Sequence, residues 1–354
     1  MRDRPVRFIP PLGRRRLLGA GLAAMAGLAA PAIVGRVGRA APASLGPLAL
    51  RLAWVKNAEF AGEYYADSRG YYLAEGFSQA VLQSGGPNAP PPESDLLQDK
   101  CLLGISAIDV TAAAVAQGAA LRTIAAQYQK SAFCLLSLAS KPIPEPKALV
   151  GRKIGVQASN QIVFSTFLRL NGIDPDDVTI VPVQFDPTPL VAGEVDGWVA
   201  YITNEPLTLK AKGIATTEFL FADHNYPLVM QTYVTRADWL STKREQLKAA
   251  LRAEIRGWQD NLRDPDGGAA LTVARYGRDL GLDPVVQKMQ SRTENTLLVS
   301  DTTQRSGLFT ISDAAIENNI RVLHGFGDDL HPRDLFDPSL LREIYQQDPA
   351  LLRA

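Results

Sequence analysis

From residue 48 onward, short apolar runs alternate with stretches that carry helical spacing. LALRLAW (48–54), QAVLQ (79–83), CLLGI (101–105), LRTIAA (121–126) and FCLLSLA (133–139) have the length and aliphatic content that predict strands. Between them, Glu63 to Glu75 predicts a helix closed by Gly76, and DVTAAAVAQG (109–118) predicts another. The Pro- and Lys-rich segment SKPIPEPKALVGRK (140–153) interrupts this rhythm, which then restarts. KIGV leads to a helix from about Gln161 to Asn171, VTIVPV to a helix near Leu190, and GWVAYI, EFLFA and LVMQTYVT follow as strands. Beyond Trp239 the pattern is helical, most clearly in KREQLKAALRAEIRGWQDNLR (243–263), with apolar residues at i, i+3 and i+4. Two α/β units with largely parallel sheets and a helical tail are expected, the tail covering the first unit. Such a bilobed chain offers a cleft between lobes, where ligands commonly bind.

Composition agrees with this reading. The 354 residues are 46% hydrophobic and 21% charged, a globular balance with room for two domains. Formal net charge is zero, but eight arginines stand in residues 1–44, which leaves the remainder mildly acidic. No concentrated basic face is predicted, so nucleic acid is not an expected partner. The basic start, the apolar stretch Leu17 to Val34 and the small residues Ala41 and Ala43 predict a cleaved signal peptide over residues 1–43. Arg14, Arg15 and Arg16 followed by two leucines resemble a twin-arginine export motif, with Gly13 where Ser or Thr is commoner.

The three histidines, His224, His324 and His331, form no metal-ligand spacing, and the sequence has no metal-binding, nucleophile-elbow or P-loop motif. Neither catalysis nor a metal or cofactor is predicted. Cys101 and Cys134, in apolar runs, are expected to be buried thiols, and sequence alone does not supply the distance that a disulfide between them requires. The aromatic density of WVKNAEFAGEYYADSRGYY (54–72) stands out in a chain that is 7% aromatic. It serves either a core or a flat ligand.

That stretch followed by SGGP, together with LVGRKIGVQ and VPVQFDPTPLVAGEVDGWVAYITNEP, resembles the NMT1/THI5-like group of ABC-importer substrate-binding proteins. The resemblance covers residues 48–235 and implies a type II periplasmic binding protein fold with crossover strands near 136–142 and 230–236. The lobes are then expected at 44–138, 139–235 and 236–354, the last completing the first lobe. It further implies an exported periplasmic monomer working with an ABC permease and its ATPase. Relatives bind flat nitrogen heterocycles such as thiamine-pyrimidine precursors or riboflavin, and others bind sulfonates or nitrate. The group also includes pyrimidine-precursor synthases that use an early histidine and a cysteine cluster. Here no histidine lies between Trp54 and Tyr72, Phe60 stands about where that histidine would be, and no cysteine cluster exists. Ligand binding is therefore expected of Trp54, Asn57, Glu59, Phe60 and Tyr64 in the first lobe. In the second, Ser159, Asn160, Tyr201, Asn204 and Glu205 are expected to bind ligand edges, with Ser159 or Asn160 capping a helix. Tyr71 and Tyr72 are assigned to packing.

Overall fold

A computed structural model describes residues 44–324 and 330–352; the expected signal segment lies outside the described residues. Two five-stranded sheets form the framework, and the two-lobed α/β architecture read from the sequence is present. The first sheet contains β1 (Pro47–Arg51), β2 (Gln79–Gln83), β3 (Leu103–Ser106) and β4 (Leu121–Tyr128). The second contains β5 (Phe133–Leu138), β6 (Lys153–Gln157), β7 (Thr179–Val183), β8 (Gly197–Tyr201) and β9 (Thr216–Leu220). β10 (Met230–Arg236) returns to the first, giving the orders β2-β1-β3-β10-β4 and β7-β6-β8-β5-β9.

The sheets are mixed rather than wholly parallel. β1 pairs in parallel with β2 and β3, and β6 with β7 and β8. β10 runs antiparallel to β3 and β4, and β5 antiparallel to β8 and β9. The chain therefore crosses at 129–132 and 221–229, a few residues ahead of the crossings read from the sequence. β5 joins the second sheet and β10 the first, which moves both expected lobe boundaries. The physical reason is that both strands are buried on both faces, so their apolar pattern is the same whichever sheet they join.

The helical tail covers the first sheet's lobe. Its long helix, Arg244–Arg263, lies along Ala61–Ser68, where Gly62 lets the Trp258 ring approach so closely that a Cβ would fall 2.3 Å from it. The expected helix from Glu63 to Glu75 is two pieces, Ala61–Ser68 and Tyr71–Ala74, broken at Gly70 with φ +71°. A left-handed residue ends a helix readily only when it lacks a Cβ. Tyr72 and Trp258 enter the core there, while the Tyr71 hydroxyl donates to Asp260 at 2.6 Å. Cys101 and Cys134 are both buried free thiols.

Candidate functional site

Between the lobes lies a cleft of about 370 Å³, towards the small end of the range for small-molecule sites. Its walls follow from topology. The loop and 3-10 turn after β1 supply Trp54, Asn57 and Glu59, and the helix start after β3 supplies Asp109, from one lobe. Those after β6 and β7 supply Asn160 and Phe185 from the other, joined by Tyr201 at the end of β8 and by Thr203, Asn204 and Glu205 beyond it. Carboxyl ends of strands in α/β sheets form such crevices because the connecting loops gather there. The first residues of the crossing strands, Phe133 on β5 and Met230 and Gln231 on β10, also line the cleft. The segment PNAPPPES contributes Pro87, Pro90, Pro91 and Pro92, and the Pro90 carbonyl accepts from Arg51 at 3.1 Å.

Eight of the ten residues singled out from the sequence line this cleft: Trp54, Asn57, Glu59, Ser159, Asn160, Tyr201, Asn204 and Glu205. Phe60 and Tyr64 do not. Both are fully buried in the core, because the turn and helix after Asn57 direct positions 60, 61 and 64 inward. Tyr64 stacks on Tyr276 with ring centroids 4.2 Å apart, and its hydroxyl donates to the Asn57 carbonyl at 3.0 Å. Its role is to brace the loop behind the cleft. Asn160 is the N-cap residue of helix Gln161–Leu170, but its side chain makes no cap bond. Its amide donates to Gln157 at 2.9 Å instead. His224 packs edge-on against Phe219 at 5.1 Å and is absent from the cleft wall.

Aromatic rings meet across the cleft. Trp54 from one lobe and Phe185 from the other stand edge-to-face at 5.2 Å and 62°. Behind them Phe133 and Tyr201 tilt together at 4.6 Å. These geometries suit rings with oppositely charged faces and edges.

Three carboxyls share the cleft wall, and no Lys, Arg or His stands among the described lining residues. Burial pushes the Glu59 carboxyl up to about 8, against hydrogen bonds from Gln231 and Asn57 that favour its charge. Because Glu59 still opens partly on the cleft, water screens some of that push until the cleft is filled. Burial likewise raises Glu205 to about 7, while backbone N–H groups, that of Tyr201 at 3.0 Å from Oε2 among them, oppose the rise. Asp109, in the first turn of helix Ile108–Ala116, is raised by burial as well. A desolvated carboxyl is poorly matched to an anion and gains most from an N–H edge.

Beneath Glu59 a second layer of acids is closed off from solvent. Glu63 accepts from Gln127, from Tyr233 at 3.0 Å and from Trp258 at 3.2 Å. Glu254 accepts from Tyr72 at 2.5 Å and Tyr233 at 2.9 Å, and Glu294 from Tyr128. Burial raises all three carboxyls, and the proximity of Glu63 raises Glu254 further.

Gln231 is the notable residue that sequence reasoning missed. It is 4% exposed, lies at the start of β10 with φ +48°, and its amide donates to the Glu59 carboxylate. A non-glycine residue in that region costs of order 1–3 kcal/mol and persists only where its surroundings hold it. Nothing in a strand pattern announces it. Asp109 and Phe185 were missed too, although both follow strands, as Trp54 does, and that shared position was the available signal.

A family model described as NMT1/THI5 like matches residues 57–268. The riboflavin-binding protein RibY of Chloroflexus aurantiacus is 26% identical over 241 residues, covering 65% of this chain and 66% of that protein. The 4-amino-5-hydroxymethyl-2-methylpyrimidine phosphate synthase of Schizosaccharomyces pombe is 24% identical over 216 residues, covering 57% and 62%. The matched region thus spans just under two thirds of each relative's length. Among solved structures, the periplasmic aliphatic sulphonate binding protein SsuA of Escherichia coli superposes with a TM-score of 0.63 at 14% identity. That superposition covers 79% of this chain and 92% of the other, and it establishes the periplasmic binding protein fold.

Proposed function

The chain belongs to the NMT1/THI5-like family, and from that premise we propose that it is the solute-binding protein of an ABC importer, capturing a small flat heterocycle. It is exported to the periplasm, acts as a monomer and delivers its ligand, a thiamine-pyrimidine precursor or riboflavin-like compound, to a permease with its ATPase. The observation that carries this reading is the composition of the cleft: aromatic rings from both lobes beside three carboxyls, with no basic residue in the described wall. Trp54 and Phe185 take the ring faces, while Glu59, Asp109 and Glu205 take donor-bearing edges. Contact with both lobes favours the closed arrangement over the open one, and a ligand shifts that equilibrium only by its differential contacts. Closing the cleft excludes water, which strengthens the hydrogen bond between each carboxyl and an N–H edge. Among the described residues no helix is long and apolar enough to cross a membrane.

Two features argue against a sulfonate or nitrate ligand and against a synthase. An anion would sit beside three carboxyls without a fixed positive charge. Cys101 and Cys134 are buried outside the cleft wall, and no histidine stands between Trp54 and Tyr72. Calorimetric titration with riboflavin, 4-amino-5-hydroxymethyl-2-methylpyrimidine, an alkanesulfonate and nitrate tests the reading. Saturable binding of a heterocycle alone is expected. Binding of the anions alone would overturn the ligand assignment, and turnover of a bound pyrimidine would overturn the non-catalytic role.

A further inference from the structure

At the floor of the cleft the backbone departs from the strand it belongs to. Gln231 is the second residue of β10, immediately after the 221–229 segment that crosses between the sheets. Its neighbours Met230 and Thr232 pair in register with Tyr128 and Ala126 of β4, yet Gln231 itself takes φ +48°. The side chain is buried and spends its amide on Glu59, 172 residues away, on the 3-10 turn that follows Trp54. Asn57 anchors that turn from below by accepting from the Glu59 N–H at 3.1 Å.

We infer that Gln231 is a positioning residue of the ligand cleft: its left-handed backbone at the crossing turns its amide onto one oxygen of Glu59, fixing how the carboxyl faces the ligand. The inference rests on the proposed binding role of the cleft and adds to it a mechanical link. Left-handed geometry is kept because an ordinary strand residue would alternate its side chain to one sheet face or the other. The groups within reach of the Glu59 charge are the carboxyls of Glu63 and Glu294 and the phenols of Tyr64 and Tyr201. Among these and its hydrogen-bond partners, Gln231 and Asn57 favour the ionised form.

The test is a double-mutant cycle on the full protein with riboflavin and 4-amino-5-hydroxymethyl-2-methylpyrimidine as probes, using Glu59→Gln, Gln231→Gly and the pair. Gln231→Asn, which tolerates the same backbone but is too short to reach Glu59, serves as a second variant should the glycine form fail to fold. Each single change is expected to weaken binding about tenfold, and the double to weaken it no further, because both remove one unit. A hundredfold, additive loss would assign Gln231 an independent role and overturn the inference. Carboxyl carbon NMR of Glu59 in the ligand-free protein supplies a readout that needs no ligand. Its titration midpoint should rise in Gln231→Gly and Gln231→Asn, and an unchanged midpoint would refute the link. If wild type binds neither probe, the functional reading fails by itself and the NMR titration still decides the inference.

Discussion

Replacing Glu205 by Gln should strengthen the fold and weaken the ligand site at once. Glu205 is 5% exposed at the first position of helix Glu205–Ala211. Its carboxyl, ordinarily near 4.5, is raised to about 7 by burial, despite the Tyr201 N–H at 3.0 Å. Between those two values the folded protein keeps a proton that the unfolded chain has lost, so this group's contribution to stability falls as pH rises. At 1.36 kcal/mol per pH unit the full loss is about 3 kcal/mol, complete above pH 8 and absent below pH 4. Glutamine is isosteric, still accepts from Tyr201 and has no charge to desolvate. The Gln variant should therefore melt about 4–6 °C above wild type at pH 8 and level with it at pH 4. Affinity for a heterocycle should fall at pH 8 by about tenfold or more, since a charge-assisted bond becomes a neutral one. Calorimetric melts across pH 4 to 8 with parallel titrations measure both. A variant that melts level with or below wild type at pH 8 would show that the carboxyl is not held against its charge. Unchanged affinity would remove Glu205 from the site.

Trp54→Ala removes the ring that meets Phe185 across the cleft, and should weaken a bound heterocycle by about 2–4 kcal/mol, read by calorimetry, while changing the melting temperature little. Gly62→Ala puts a methyl group 2.3 Å from the Trp258 ring and should cost about 1–3 kcal/mol or more in urea unfolding, with ligand affinity preserved in the folded fraction. Glu254→Leu leaves the hydroxyls of Tyr72 and Tyr233 without this acceptor and should destabilise by about 2–4 kcal/mol in the same assay, whereas Glu254→Gln should cost less because an acceptor oxygen remains.

The stretch WVKNAEFAGEYYADSRGYY shows how far sequence reading reached. Its front half, Trp54, Asn57 and Glu59, lines the cleft, and Phe60, Tyr64, Tyr65 and Tyr72 are buried. The division follows from where a loop gives way to a helix, and a boundary shift of one or two residues exchanges inward and outward positions. Phe60 and Tyr64 were therefore misassigned to the cleft, while the loop residues before them were not. YITNEP was more legible: a strand ending in Tyr201 and a helix beginning at Glu205 place the intervening loop at the crevice in any parallel α/β sheet. The crossings were harder, because β5 and β10 carry buried-strand patterns that say nothing about which sheet accepts them. Gln231 was invisible for another reason. Its left-handed backbone is imposed by the tertiary crossing and by Glu59, a contact 172 residues distant that no local pattern encodes.

The central claim is that this cleft is built for a flat, donor-bearing heterocycle and not for an anion. A calorimetric competition measures it most directly: purified protein titrated with riboflavin and with 4-amino-5-hydroxymethyl-2-methylpyrimidine, alone and in excess alkanesulfonate or nitrate. Saturable one-to-one binding of a heterocycle, undiminished by the salts and lost in Trp54→Ala, is the predicted result. Tight binding of sulfonate or nitrate with no heat from either heterocycle would contradict it.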